Sequence, residues 1–101
     1  MYFFKVIWSK NYIAIAVDEI KNKKYSLPLT TFYFWPREDG WKLLQAELIS
    51  KPWMTEEQQT SILNGYTSLI NYWLVNVHKT ESIKKIIQES KNLNFQILGN
   101  T

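Results

Sequence analysis

Nine carboxylates, one histidine and twelve basic side chains make up most of the ionisable chemistry of this 101-residue chain, and their spacing speaks against catalysis. A general acid–base pair needs two groups converging in a dry cleft with shifted pKa values. The neighbouring pairs Asp18/Glu19 and Glu38/Asp39 are the best candidates by spacing. Adjacent carboxylates are usually solvated, and most of the other acids fall at helix starts or in i,i+4 pairs that stabilise helices. His78 falls near the end of a long helical pattern, where its cationic form suits the helix dipole. No nucleophile or orienting acid is identifiable around it. The only glycines are Gly40, Gly65 and Gly99, too few and too scattered for a phosphate cradle. The absence of cysteine excludes disulfides and zinc–thiolate sites, and a single histidine excludes a histidine metal cluster. The residues therefore predict no catalytic site, no metal, no cofactor and no small-molecule substrate.

The basic residues are more informative. Formal net charge is +3, and Arg37 is the only arginine among twelve basic side chains. Lys21, Lys23 and Lys24 cluster in one loop, Lys5 and Lys10 belong to or adjoin a hairpin, and Arg37 follows Trp35-Pro36 at a helix start. Helix N-termini and arginine both suit phosphate contacts. These six residues are the expected RNA-binding set; Lys79, Lys84, Lys85 and Lys91 form a second group. For any single lysine a solvated surface is the ordinary alternative. No RNA-recognition fingerprint with tandem surface aromatics is present, so sequence-specific base readout is not expected.

Five Trp, six Tyr and five Phe are a heavy aromatic load for a domain of this size. Small domains have too little interior to bury every ring, and exposed rings mark partner surfaces. In the run Phe32-Tyr33-Phe34-Trp35, alternation sends some rings outward; Tyr33 and Trp35 are the expected protein-interface pair.

These side chains must be carried by a small set of elements. Residues 2–8 and 12–20 alternate as strands, with Ile13, Ile15 and Val17 on one face and Ala14 and Ala16 on the other. Ser9-Lys10-Asn11 supplies the turn of a hairpin, and the small alanines predict a helix packed closely on their face. Ser26-Leu27-Pro28 reads as an extended connector. Thr31–Trp35 reads as a third strand or as a buried run entering a helix. Pro36 suits the first position of that helix, with Trp41, Leu44 and Leu48 inward and Glu38–Lys42 and Glu47–Lys51 paired outside. Thr55-Glu56-Glu57-Gln58 is a capping-box signal. It opens a helix over 55–77, whose stripe is Ile62, Tyr66, Leu69, Ile70, Trp73 and Val77. Gly65 interrupts this helix, and a close contact with the sheet would justify it. A weaker helix is expected over 80–90 and a short strand over 94–98, followed by a loose tail. The expected fold class is α+β: a small antiparallel sheet, made of the N-terminal hairpin plus one or two short strands, with two or three helices packed on one face.

The length suits one domain over 1–101. No apolar run approaches the roughly 18 residues of a membrane span, and the N-terminus reads as neither a signal nor a transit peptide. Lys, Asn, Ile and Tyr are plentiful, and their A/T-rich codons hint at an A/T-rich genome such as that of an organelle.

Phe34-Trp35-Pro36-Arg37-Glu38-Asp39-Gly40-Trp41 resembles the signature of the plastid-specific ribosomal protein 3 family. The likeness continues through Glu47-Leu48, Ser50-Lys51-Pro52-Trp53, Leu63-Asn64, Thr67, Ile70-Asn71 and Trp73. Upstream, Ile7-Trp8, Ala14-Ile15-Ala16-Val17-Asp18 and Pro28-Leu29-Thr30 are similar to the family's opening strands. The likeness covers about residues 3–75; residues 77–101 match nothing recognisable. Gly40 stands where the family pattern has Ala, and Leu74 where it has Gln. The resemblance implies a structural constituent of a bacterial-type small ribosomal subunit that contacts ribosomal RNA and neighbouring ribosomal proteins. It implies a location in a plastid or a cyanobacterium; the A/T-rich composition and the missing transit peptide point to an organelle-encoded member in the plastid (chloroplast) stroma, with a cyanobacterial cytoplasm as the alternative. It supplies no catalytic residue and no residue-level RNA contact. A protein-interaction adaptor or translation regulator, associated with the ribosome through an aromatic patch, is the alternative function.

Overall fold

The computed structural model describes residues 2–21, 25–36, 38–77 and 95–100. Alternation builds the first two strands, β1 (Tyr2–Trp8) and β2 (Ile13–Lys21), which pair antiparallel with Val6 opposite Ile15. The turn between them is closed by the Ser9 amide donating to the Tyr12 carbonyl at 3.0 Å. One face of this hairpin carries Phe4, Val6, Trp8, Ile13, Ile15 and Val17, all buried.

Two short strands share the outer side of β2. β3 (Tyr25–Pro28) pairs with its C-terminal part, and β4 (Tyr33–Trp35) with its N-terminal part, both antiparallel. Between them the chain is stitched to Val17. The Val17 carbonyl accepts from the Leu29 and Thr30 amides at 2.9 and 3.1 Å, and the Val17 amide donates to Thr30 Oγ1 at 3.0 Å. These bonds satisfy the Val17 backbone groups where neither short strand reaches them.

Helix α1 (Gly40–Ile49) starts four residues after Pro36, not at it. Asp39 is the cap, its carboxylate accepting from the Lys42 amide at 3.2 Å. Aspartate satisfies an orphan amide at a helix start, which proline cannot do. Glu38 consequently precedes the helix, and Lys42 lies 4.0 Å from Asp39 rather than pairing with Glu38. The Trp35–Pro36 peptide is cis. The Glu47–Lys51 pair forms as expected, at 3.8 Å.

Helix α2 (Glu56–Asn76) opens with the expected capping box. The Gln58 amide donates to Thr55 Oγ1 at 3.1 Å, and the Thr55 amide to Gln58 Oε1 at 2.8 Å. All six residues of its expected stripe are buried. With Leu44 and Leu48 of α1 they join the Val6–Ile15 face of the hairpin in one core. Both described helices therefore lie opposite Ala14 and Ala16, and the helix expected behind those alanines is not among the described ones. The small side chains there face Ile7, Lys5 and Phe34 across the sheet.

The last strand, β5 (Phe95–Asn100), pairs with β1 in parallel. The class is the expected α+β, but the sheet is mixed rather than wholly antiparallel. A parallel neighbour needs a long crossover, and α2 lies in that connection. The expected helix over 80–90 and His78 lie outside the described residues.

Candidate nucleic-acid interface

Five of the chain's basic residues, Lys5, Lys10, Lys21, Lys42 and Lys51, fall among the described ones. Lys5 is a β1 residue on the face away from the helices, where Asp18 of β2 is also placed. Its ammonium lies 3.0 Å from Asp18 Oδ1 and 5.9 Å from the centre of the Phe32 ring. Asp18 is only 6% exposed, and its Oδ1 accepts no well-formed hydrogen bond among the described residues. A desolvated carboxylate without a partner is costly, so Lys5 is taken up in compensating it.

Lys21 lies 3.4 Å from Glu19. With Lys42 and Lys51 also beside carboxylates, Lys10 is the one lysine among the described residues with no ion-pair partner. Lys10 sits in the β1–β2 turn, and Lys21 at the other end of β2. At strand rise the eight steps from Ile13 to Lys21 alone span about 27 Å. Lys10 and Lys21 thus lie at opposite ends of the hairpin. Lys23, Lys24 and Arg37 lie outside the described residues. The described residues hold five basic and seven acidic side chains, so the chain's positive excess belongs to positions 23, 24, 37 and 79–91.

The expected interface pair also turns out to face inward. Tyr33 pairs with Ile15 and Trp35 with Ile13, which puts both on the helix-facing side, half-buried against the core. The Tyr33 hydroxyl donates to Glu47 Oε2 and ties β4 to α1. Burial first, and then this carboxylate, push its pKa up to about 12. Phe34, between them, faces the other side with Ala14, its ring 5.5 Å from that of Tyr12. In a three-residue strand the partner register decides which rings point out, and the run of aromatics does not reveal that register.

The rings that are exposed lie elsewhere. Trp53 is 57% exposed in the α1–α2 connection, and Tyr25 of β3 is 59% exposed. Trp53, Leu27, Pro28 and Leu29 border a groove of about 310 Å³, which the polar side chains Glu19, Lys21 and Gln58 also line. Residue-level reading missed this groove. The available signal was Trp53 itself, a tryptophan after Pro52 that falls on neither helix's apolar stripe.

The acidic pairs do not form an acid–base couple. Asp18 and Glu19 are successive strand residues and point to opposite faces, while Asp39 is occupied in capping α1. Among the described residues no three metal-ligating side chains gather, and no described helix is long and apolar enough to cross a membrane.

Comparison with known proteins places this architecture. The model of the plastid and cyanobacterial ribosomal protein family (PSRP-3/Ycf65) matches residues 29–76, from the end of β3 through α2. The chain is 52% identical over 69 residues to the probable small ribosomal subunit protein cS23 of Synechococcus sp. (strain JA-3-3Ab), covering 68% of this chain and 69% of that one. It is 42% identical over 93 residues to the small ribosomal subunit protein cS23 of Gracilaria tenuistipitata var. liui, covering 91% of each. The chain belongs to the PSRP-3/Ycf65 family. This is a family of ribosomal structural proteins and not of enzymes. Gly40 bears on packing directly. A Cβ at Gly40 would meet the Tyr66 hydroxyl and lie 2.6 Å from the Phe34 carbonyl oxygen. Here α1 starts against β4 more closely than an alanine allows without a shift.

Proposed function

We propose that this chain is a structural constituent of the small ribosomal subunit of a plastid or cyanobacterium, resting on ribosomal RNA and on neighbouring ribosomal proteins. The observation that carries the reading is the 42% identity to a small-subunit protein over nine-tenths of both chains. Cations without an internal carboxylate partner are the ones available to phosphates. Among the described lysines that favours Lys10; Lys21, Lys23, Lys24 and Arg37 are assigned RNA contact by residue type and their spacing in sequence. Lys5 serves the fold through Asp18. Such contacts anchor without reading sequence, because phosphates are the same along every RNA. Abundant Lys, Asn, Ile and Tyr favour an organelle-encoded protein of the plastid stroma over a cyanobacterial cytoplasmic one.

Sucrose-gradient fractionation tests the reading. The protein is expected in small-subunit fractions, released as salt rises. Replacing Lys23 and Lys24 with Glu should weaken association and flatten its salt dependence, by about 0.7–0.9 in log–log slope for each phosphate no longer neutralised. A protein that stays at the top of the gradient at low salt would refute it.

A further inference from the structure

We propose that the groove between Trp53 and Leu27 seats an unpaired nucleotide of RNA, its base stacked on the Trp53 indole. The inference rests on the ribosomal reading and names a place where the chain would grip a single strand. Three observations carry it.

The first is the ring. Trp53 is more than half exposed although no helical stripe or strand face requires it outside, and an exposed aromatic face is what splayed-out RNA bases stack on. The second is the mixed lining. Beside the apolar Leu27 and Leu29, the groove is lined by Glu19, Lys21 and Gln58. Gln58 Oε1 is taken by the Thr55 amide, whereas its amide nitrogen has no acceptor among the described residues. Glu19 is neutralised by Lys21 at 3.4 Å and retains acceptor capacity. A base edge can satisfy such donors and acceptors, while an apolar side chain would desolvate them without compensation. The groove's roughly 310 Å³ lies at the small end of ligand clefts.

The third is charge and edge chemistry. Lys23 and Lys24 follow the groove residue Lys21 in sequence, three basic residues within four positions. A protein strand adding to β3 is the competing occupant. That strand is four residues long, ends in Pro28 and adjoins this lysine run, all features that discourage edge pairing. Recognition through side chains in the groove is what the edge leaves open.

The test uses the full chain and two probes, a short mixed-sequence single-stranded RNA and a duplex of the same length, with binding read by fluorescence anisotropy at low salt. Trp53→Ala should weaken single-strand binding about tenfold, in the range of base–aromatic stacking, and leave duplex binding unchanged. Trp53→Phe should retain most of the affinity. Far-UV circular dichroism should match wild type, since the ring is largely exposed. If Trp53→Ala binds the single strand like wild type while Lys23→Glu/Lys24→Glu loses it, the nucleotide site is refuted and the phosphate reading stands. If Trp53→Ala leaves the subunit in gradients but still binds single-stranded RNA normally, the groove takes a protein and the proposal falls. If the wild-type chain binds neither probe yet sediments with the subunit, the nucleotide site is likewise refuted.

Discussion

The ring of Phe4 on β1 lies directly against the backbone of Gly65 on α2, so closely that a Cβ added at Gly65 would sit 2.7 Å from Phe4 Cε2 and nearer still to Cζ. The glycine that interrupts α2 is therefore the point at which helix and sheet touch, in keeping with the contact anticipated for it.

Gly65→Ala sets two effects against each other. Alanine gains about 1 kcal/mol of helix propensity. Overpacking against a buried ring costs about 1–3 kcal/mol. Because Phe4 is buried in the core, we expect a net loss of about 1 kcal/mol in urea denaturation. The loss should shrink in a Phe4→Leu background, with a coupling of order 1 kcal/mol. Equal penalties in both backgrounds would show that the contact is not what α2 avoids.

Trp73 Nε1 donates to the Ser9 carbonyl at 2.7 Å in a buried setting, pinning the end of α2 to the hairpin turn. Trp73→Phe keeps an aromatic ring but orphans that carbonyl. The expected cost is about 2 kcal/mol, from the unsatisfied acceptor and the smaller ring volume. A change in midpoint equivalent to less than about 0.5 kcal/mol would contradict it.

Lys5 and Asp18 form a structural pair, and its variants separate fold from RNA. Lys5→Met leaves a buried carboxylate alone. A fully buried pair would lose about 3–5 kcal/mol; because the Lys5 side chain is 26% exposed, solvent reduces this to about 2 kcal/mol. Lys5→Met/Asp18→Leu should recover much of it. Ribosome association measured below the melting temperature should be intact in the double variant, whereas loss of association there would return Lys5 to the RNA-binding set.

Alkaline pH should loosen the β4–α1 junction. Tyr33 titrates near 12 in the fold, against about 10 in an unfolded chain. Burial, and then the charge of Asp39, also raise the Tyr66 pKa above its usual value. A raised tyrosine pKa leaves stability whole below pH 10, because both states are protonated there. Between about 10 and 12 the unfolded chain loses protons first, so stability falls as pH rises. Spectrophotometric titration should show Tyr33 and Tyr66 ionising late, with Tyr2 also shifted upward by burial and then by Glu19. Tyr33→Phe should remove one late step and flatten the fall in stability above pH 10.

The elements built on local periodicity are legible from the residues. The hairpin follows from strict alternation, and α2 from Thr55–Gln58 and a stripe that is buried at every position named. The start of α1 is less legible. Pro36 has the right backbone angle for a first helical residue, but the cap three residues later decides where amides are satisfied. The interface is harder still to read from local pattern. Lys5 reads as a free cation, and only the folded structure sets it beside Asp18. Tyr33 and Trp35 read as outward rings, and only the register with Ile13 and Ile15 turns them inward.

What the sequence determined by itself is whatever depends on near neighbours: caps, alternation, the helical stripe, the absence of thiol chemistry, and a family likeness concentrated around Phe34–Trp41. What only the tertiary structure decided is the parallel placement of β5, the pairing of Lys5 with Asp18, and the exposure of Trp53 beside β3. Each of these depends on distances between residues remote in sequence. Such distances are set by how the helices and strands pack together, and no local pattern encodes them.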